Sequence, residues 1–204
     1  MSYCDFFRNL GEYKVEEMAS RLKAIKPGHQ ERVGEIIRSF CELNDCPTIF
    51  GDLQLLNYYK DIGLSVFSQL ICQPKELSRE EKKLVNFHSI FSAHILEQEG
   101  FEEVMGVDLF ESVLYHHERW DGKGFFRLRG KQIPLYARLL APIDFYVALI
   151  STRPYRGAFS QEEAIQQIFD QAEKMFDPIA VGFAVEAIKN PVRFMGCACP
   201  QYSN

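Results

Sequence analysis

Apolar residues recur along this chain at spacings of three and four, and no segment alternates convincingly with period two. Tyr13, Met18, Leu22 and Ile25 predict a short helix over 12–25, ended by Pro27-Gly28. His29, Val33, Ile36, Ile37 and Phe40 share one face of a helix over 29–43, with the histidine at the head of the stripe. A third helix is expected over 51–62, with Gly63 as its C-terminal cap. Ser78-Arg79-Glu80-Glu81 reads as a capping box, and the helix it opens aligns Leu84, His88, Phe91 and Ile95 before Gly100. Leu109, Phe110, Val113, Leu114 and His117 make the next stripe. Gly122, Gly124 and Gly130 then break the chain into a loop carrying Lys123, Arg127, Arg129 and Lys131. Pro134 suits the first turn of a helix that brings in Asp144. Pro142 inside it cannot donate to Arg138, which predicts a kink before the carboxylate. A second capping box, Ser160 to Glu163, starts a helix through about Phe176, and Asp177-Pro178 starts the last. The expected fold is all-α, a bundle of roughly seven or eight helices.

Length and composition narrow this picture. A chain of 204 residues suits one domain, or one domain with a short N-terminal extension, and can bury a real core. The net charge of −5 argues against broad nucleic-acid or anionic-membrane binding, so a phosphate-bearing ligand must meet a local cationic cluster. No apolar run approaches a membrane span, and the start MSYCDFFRNLGEYK lacks a signal peptide's apolar segment, so a cytoplasmic location is expected. Cys4, Cys41, Cys46, Cys72, Cys197 and Cys199 are scattered without a CxxC pair and read as idle thiols.

The chemistry concentrates between His116 and Arg156. Adjacent histidines at a helix end and a carboxylate on the next helix supply metal donors, and the basic loop between them suits a phosphate. HHERWDGKGF, IPLYARLL, IDFYVAL and RPYR, in this order and spacing, resemble the HD-GYP domain, a metal-dependent phosphodiesterase module of bacterial cyclic di-GMP signalling. The chain departs from that family at two motifs. Gly124-Phe125-Phe126 stands where the family has Gly-Tyr-Pro. Lys60-Asp61-Ile62-Gly63-Leu64 stands where the superfamily has His-Asp followed by Ile-Gly-Lys.

The resemblance implies a helix bundle of the HD-domain type over 28–190, with an N-terminal extension over 1–27 and a tail over 191–204. It implies metal ligation by His29, Asp61, His88, His116, His117 and Asp144, with one or two divalent ions drawn from Fe, Mn and Zn. His88, His116, His117 and Asp61 would complete one ion's shell. His29, Asp61 and Asp144 would have to hold the other without the lost histidine. Lys60 changes that second site, because an ammonium repels a cation and can itself pair with Asp61 or Asp144. Asp61 and Lys60 are therefore the candidate catalytic positions, and Lys123, Arg127, Arg153 and Arg156 the candidate substrate contacts. Glu118 is expected to orient a histidine or cap the helix, Asp121 to fix the loop, and His94 to be a satisfied core residue. Phe125 and Phe126 divide between base stacking and packing. The implied ligand is cyclic di-GMP or another phosphoester. Two readings stay open: a phosphodiesterase of weak or lost activity, or an inactive domain that binds a nucleotide or a signalling protein partner.

Overall fold

The computed structural model describes residues 14–73, 75–152 and 157–191. Helices account for the regular structure among them: α1 (Val15–Ile25), α2 (His29–Leu43), α3 (Pro47–Tyr59), α4 (Ser68–Ile71), α5 (Arg79–Val85) and α6 (His88–Gln98) in the first half. The second half holds α7 (Phe101–Met105), α8 (Val107–Tyr115), α9 (Leu135–Ile150), α10 (Gln161–Asp170) and α11 (Pro178–Lys189). Eight of these are nine residues or longer and three are shorter, against an expected bundle of roughly seven or eight helices. No strand forms among the described residues, and Ala172 and Phe176 make an isolated bridge.

One apolar core runs through the bundle. Val33 and Ile37 of α2, Leu53 and Leu56 of α3, Val113 of α8 and Ile143 and Val147 of α9 are all buried in it. Each such aliphatic side chain contributes about 1.5–3 kcal/mol relative to exposure. Helix α9 packs against α2, α8, α10 and α11, and is thus the central element. It continues through Pro142, which is buried, and Pro134 sits at its N-cap rather than inside the first turn.

Three boundaries differ from the sequence pattern. Helix α3 ends at Tyr59, and a 3-10 segment follows over Ile62–Phe67, so Gly63 is not a helix cap. A Cβ there would lie 2.2 Å from the His88 carbonyl oxygen and 2.7 Å from the Ser92 nitrogen. The glycine instead lets the 3-10 segment lie against the backbone of α6, where Gly63 N–H donates to Ser92 Oγ at 2.9 Å. The capped helix at Ser78 stops at Val85, and His88 opens a separate helix after a turn at Asn86-Phe87. The helix from Ser160 ends at Asp170, because the chain turns there and Met175 and Phe176 N–H both return to the Gln171 carbonyl. The two capping boxes and the Asp177 cap form as expected.

A polar latch sets the start of α2 beside the end of α3. Asn57 Nδ2 donates to the Gln30 carbonyl at 2.9 Å, and Gln30 Nε2 donates to the Tyr58 carbonyl at 2.8 Å. His29 precedes Gln30 as the first residue of α2, and Lys60 follows the last residue of α3.

Candidate metal centre

Five elements deliver side chains to two donor groups that share Asp61. His29 comes from the first residue of α2, Asp61 from the link between α3 and the 3-10 segment, and His88 from the first residue of α6. His116 follows the last turn of α8, and Asp144 sits on α9. His29, Asp61, His88 and His116 are buried, and Asp144 is half-buried. One donor atom from each of Asp61, His88, His116 and His117 lies within 4.8 Å of the other three, and the same holds for His29, Asp61 and Asp144.

The imidazoles fit a cation because of where their protons must be. His88 Nδ1 lies 2.7 Å from the Val85 carbonyl oxygen, and His116 Nδ1 lies 2.7 Å from that of Val113. A carbonyl only accepts, so each Nδ1 carries a hydrogen, and a ring with that single proton turns a bare Nε2 lone pair inward. The His88 and His116 lone pairs face each other, their Nε2 atoms 3.3 Å apart, and His117 Nε2 lies 3.1 Å from His88 Nε2. Asp61 Oδ1 stands 3.3 Å from His88 Nε2 and 3.6 Å from His116 Nε2. Facing lone pairs beside a carboxylate oxygen are mutually repulsive until a cation stands among them. Burial favours the neutral form of His116 and pushes its pKa down. Burial, with the neighbouring His116 and His88, holds His117 well below the ordinary imidazole value. Helix α8 ends at Tyr115, so His117 leaves the apolar stripe that its spacing predicts and is exposed as a residue, while its ring packs on His88 and His116 and turns Nε2 to the cluster.

The other half of the cluster is occupied by the chain itself. Lys60 is 1% exposed, and its Nζ lies 2.5 Å from Asp61 Oδ2 and 2.7 Å from Asp144 Oδ1. Burial pulls its pKa down, but the two carboxylates outweigh that and hold it above the ordinary lysine value. His29 Nε2 lies 2.9 Å from Asp144 Oδ1. Burial alone would raise both carboxyls. The Lys26 and Lys60 ammonium groups hold Asp61 well below the ordinary range, and Lys60 with His29 does the same for Asp144. Lys26 was not legible as a site residue: its Nζ is 3.1 Å from Asp61 Oδ2. Its one signal is position, three residues before His29 in the turn Lys26-Pro27-Gly28.

The loop after the histidines is built around a carboxylate. Glu118 neither orients a ring nor caps a helix. Its Oε1 accepts from Phe126 N–H at 2.8 Å and its Oε2 from Leu128 N–H at 2.7 Å. A Cβ on Gly124 would lie 2.5 Å from Glu118 Oε1, so the glycine is required for that clamp to close. Asp121 fixes the loop as expected, accepting from Lys123 N–H and from Arg119 Nε and Nη2. Trp120 and Asp121 N–H donate to the Met175 and Lys174 carbonyls, which ties the loop to the turn after α10. Phe126 packs edge-on against Tyr115, while Phe125 is 54% exposed and meets Phe87, the neighbour of His88. Lys123, Arg127, Arg129 and Lys131 are exposed on this loop. Arg153 and Arg156 lie outside the described residues. His94 is half-buried and faces Glu97 at 3.7 Å. Cys41, Cys46 and Cys72 are free thiols, and the other three cysteines lie outside the described residues. No helix among the described residues is long and apolar enough to cross a membrane.

Comparison with known proteins gives this arrangement its relatives. The family model for the HD domain matches residues 14–179. A cyclic di-GMP phosphodiesterase of Thermotoga maritima is 29% identical over 157 residues, covering 75% of this chain and 42% of that protein. A cyclic di-GMP phosphodiesterase of Vibrio cholerae is 36% identical over 128 residues, covering 59% of this chain and 26% of that protein. Among solved structures, a cyclic GMP-AMP-specific phosphodiesterase of Vibrio cholerae, V-cGAP3, shares the fold with a TM-score of 0.56. Its identity is 19%, and the match covers 87% of this chain and 49% of that one. The chain thus spans less than half the length of these relatives. With a family match over most of its length, this chain belongs to the HD domain family.

Proposed function

We propose that this chain is a phosphohydrolase domain of cyclic-dinucleotide signalling that holds one divalent metal ion and turns over cyclic di-GMP weakly. The observation that carries the reading is the buried Lys60 ammonium set between Asp61 and Asp144, beside a neighbouring group of histidine lone pairs with no such internal cation among the described residues. Asp61, His88, His116 and His117 would hold the metal. His29, Asp61 and Asp144 are the half-site where Lys60 stands in for a second one. Imidazole and carboxylate donors suit Fe, Mn or Zn.

A bound ion supplies Lewis-acid polarisation of a phosphoryl oxygen and a nucleophile available at neutral pH. The residues of the chain do the remainder. The Val85 and Val113 carbonyls keep the Nε2 atoms of His88 and His116 aimed inward. Asp61 offers Oδ1 to that side while its Oδ2 is held by lysines. The clamped loop presents Phe125 as a face for a base and Lys123 and Arg127 as cations for phosphate, and Arg153 and Arg156 are further candidates. Slow turnover follows from Lys60: a fixed ammonium neutralises charge but cannot act as the second clamp of an in-line displacement. A domain that binds the nucleotide or a protein partner without turnover is the second reading, favoured by the same lysine.

The test is metal analysis of purified protein together with a hydrolysis assay on cyclic di-GMP with Fe, Mn and Zn supplied in turn. The expected result is close to one ion per chain, rising in Lys60→His, with slow hydrolysis abolished in His116→Ala. Two ions in the wild-type chain refute the one-metal reading. Absent hydrolysis with retained nucleotide binding selects the second.

A further inference from the structure

Two ammonium groups balance the two carboxylates of the centre, and they differ in access. Lys60 is sealed in, whereas the Lys26 side chain is 33% exposed. Among the described residues, Lys26 is the ammonium that both touches the cluster and reaches solvent. On the loop, Arg119 pairs with Asp121, and Lys123 Nζ faces the same carboxylate at 3.9 Å. Leu64, one turn beyond Asp61, is buried in the core.

The base of Lys26 is held while its tip can move. Its N–H donates to the Leu22 carbonyl at 2.9 Å, and Pro27 restricts the next backbone step. The tip can leave Asp61 without orphaning a buried charge, because Lys60 Nζ stays 2.5 Å from the same Oδ2 atom. An ammonium with a redundant partner and a solvent-facing stem is free to take an incoming anion. The charges agree. Asp61 and Asp144 cancel Lys26 and Lys60, so a divalent ion leaves the centre with the charge that two phosphodiester groups would neutralise.

We propose that Lys26 is a substrate-positioning cation, whose ammonium exchanges Asp61 Oδ2 for a non-bridging oxygen of a phosphate or phosphodiester presented to the Asp61–His88–His116–His117 side. The inference rests on the phosphohydrolase reading above. It adds the turn between α1 and α2 to the basic loop in phosphate recognition.

The test is calorimetric titration of the Mn-loaded full chain with orthophosphate and with cyclic di-GMP, for wild type, Lys26→Met and Lys26→Arg, with metal per chain measured for each. The expected result is about tenfold weaker binding of both ligands in Lys26→Met, the size of one lost charge-assisted hydrogen bond. The salt dependence should flatten, the metal content should stay unchanged, and Lys26→Arg should recover most of the affinity. Equal binding in Lys26→Met overturns the assignment while leaving the phosphohydrolase reading intact. Loss of metal together with binding also overturns it, since Lys26 would then serve Asp61 rather than the ligand. A wild-type chain that binds neither ligand overturns both inferences. Binding of orthophosphate alone, weakened in Lys26→Met, upholds Lys26 and removes the dinucleotide.

Discussion

Replacing Lys60 by methionine keeps the length of the buried side chain and removes its charge. In the metal-free protein this leaves Asp61 and Asp144 enclosed without the ammonium that lies within 2.7 Å of an oxygen of each. Breaking a buried ion pair by deleting one partner typically costs 3–5 kcal/mol, roughly. Two contacts survive here: Lys26 remains on Asp61 and His29 on Asp144. The expected loss is therefore at the lower end, about 3 kcal/mol, or a Tm lower by about 6–12 °C for a domain of this size. The lost charge also opens the His29–Asp61–Asp144 half-site, so a divalent ion should restore what methionine removes. A ligand at about one hundred times its Kd contributes about 2.7 kcal/mol. The assay is urea unfolding of wild type and Lys60→Met, each stripped of metal and then supplied with Mn. The variant should be the less stable chain without metal, and should gain more than the wild type with it. A loss below about 1 kcal/mol in the stripped variant would refute the claim that Lys60 balances these carboxylates.

Acid should destabilise the metal-free chain in two steps. His116 and His117 have lowered pKa values, so below about pH 6.5 the unfolded chain takes up their protons first and stability falls with pH. Asp61 and Asp144 are also lowered, so their contribution is complete above about pH 4 and is lost below it. A urea midpoint that stays flat from pH 7.5 to 5.5 would count against the histidine step. Gly63→Ala should cost more than Gly124→Ala in unfolding experiments. The new methyl meets the backbone of α6 in the first case and a carboxylate that can shift in the second, with overpacking typically costing about 1–3 kcal/mol. The reverse order would mean that the 3-10 segment yields more easily than the Glu118 clamp. Phe125→Ala should weaken cyclic di-GMP binding about tenfold or more with metal content unchanged, since stacking a base contributes about 1–3 kcal/mol. Unchanged affinity would show that the exposed ring is not a base platform.

Helical periodicity made the bundle legible because each long helix buries one stripe, and the stripe of α2 gave its boundaries at His29 and Leu43 directly. It failed where tertiary contact rather than periodicity ends an element. Leu84, His88, Phe91 and Ile95 keep one spacing across the turn at Asn86-Phe87, so nothing local marks that break. Gly63 carried a cap's signature, yet its reason lies across space in the backbone of α6. Among site residues, the histidines and aspartates stood out because residue type alone limits their chemistry. Lys26 did not, since a lysine in a turn looks like any solvated cation until Asp61 is brought beside it. Glu118 was noticed but misassigned, because its partners are peptide N–H groups eight and ten residues on.

The carbonyls of Val85 and Val113 have a longer reach than their size suggests. Each sits three residues before its histidine and settles which ring nitrogen keeps the proton. Because the acceptor is main chain, no single side-chain exchange at position 85 or 113 deletes it. A side chain beside the centre can therefore be exchanged while the imidazoles of His88 and His116 retain their aim. A new donor introduced at position 60 would thus meet a histidine pair whose geometry is already in place.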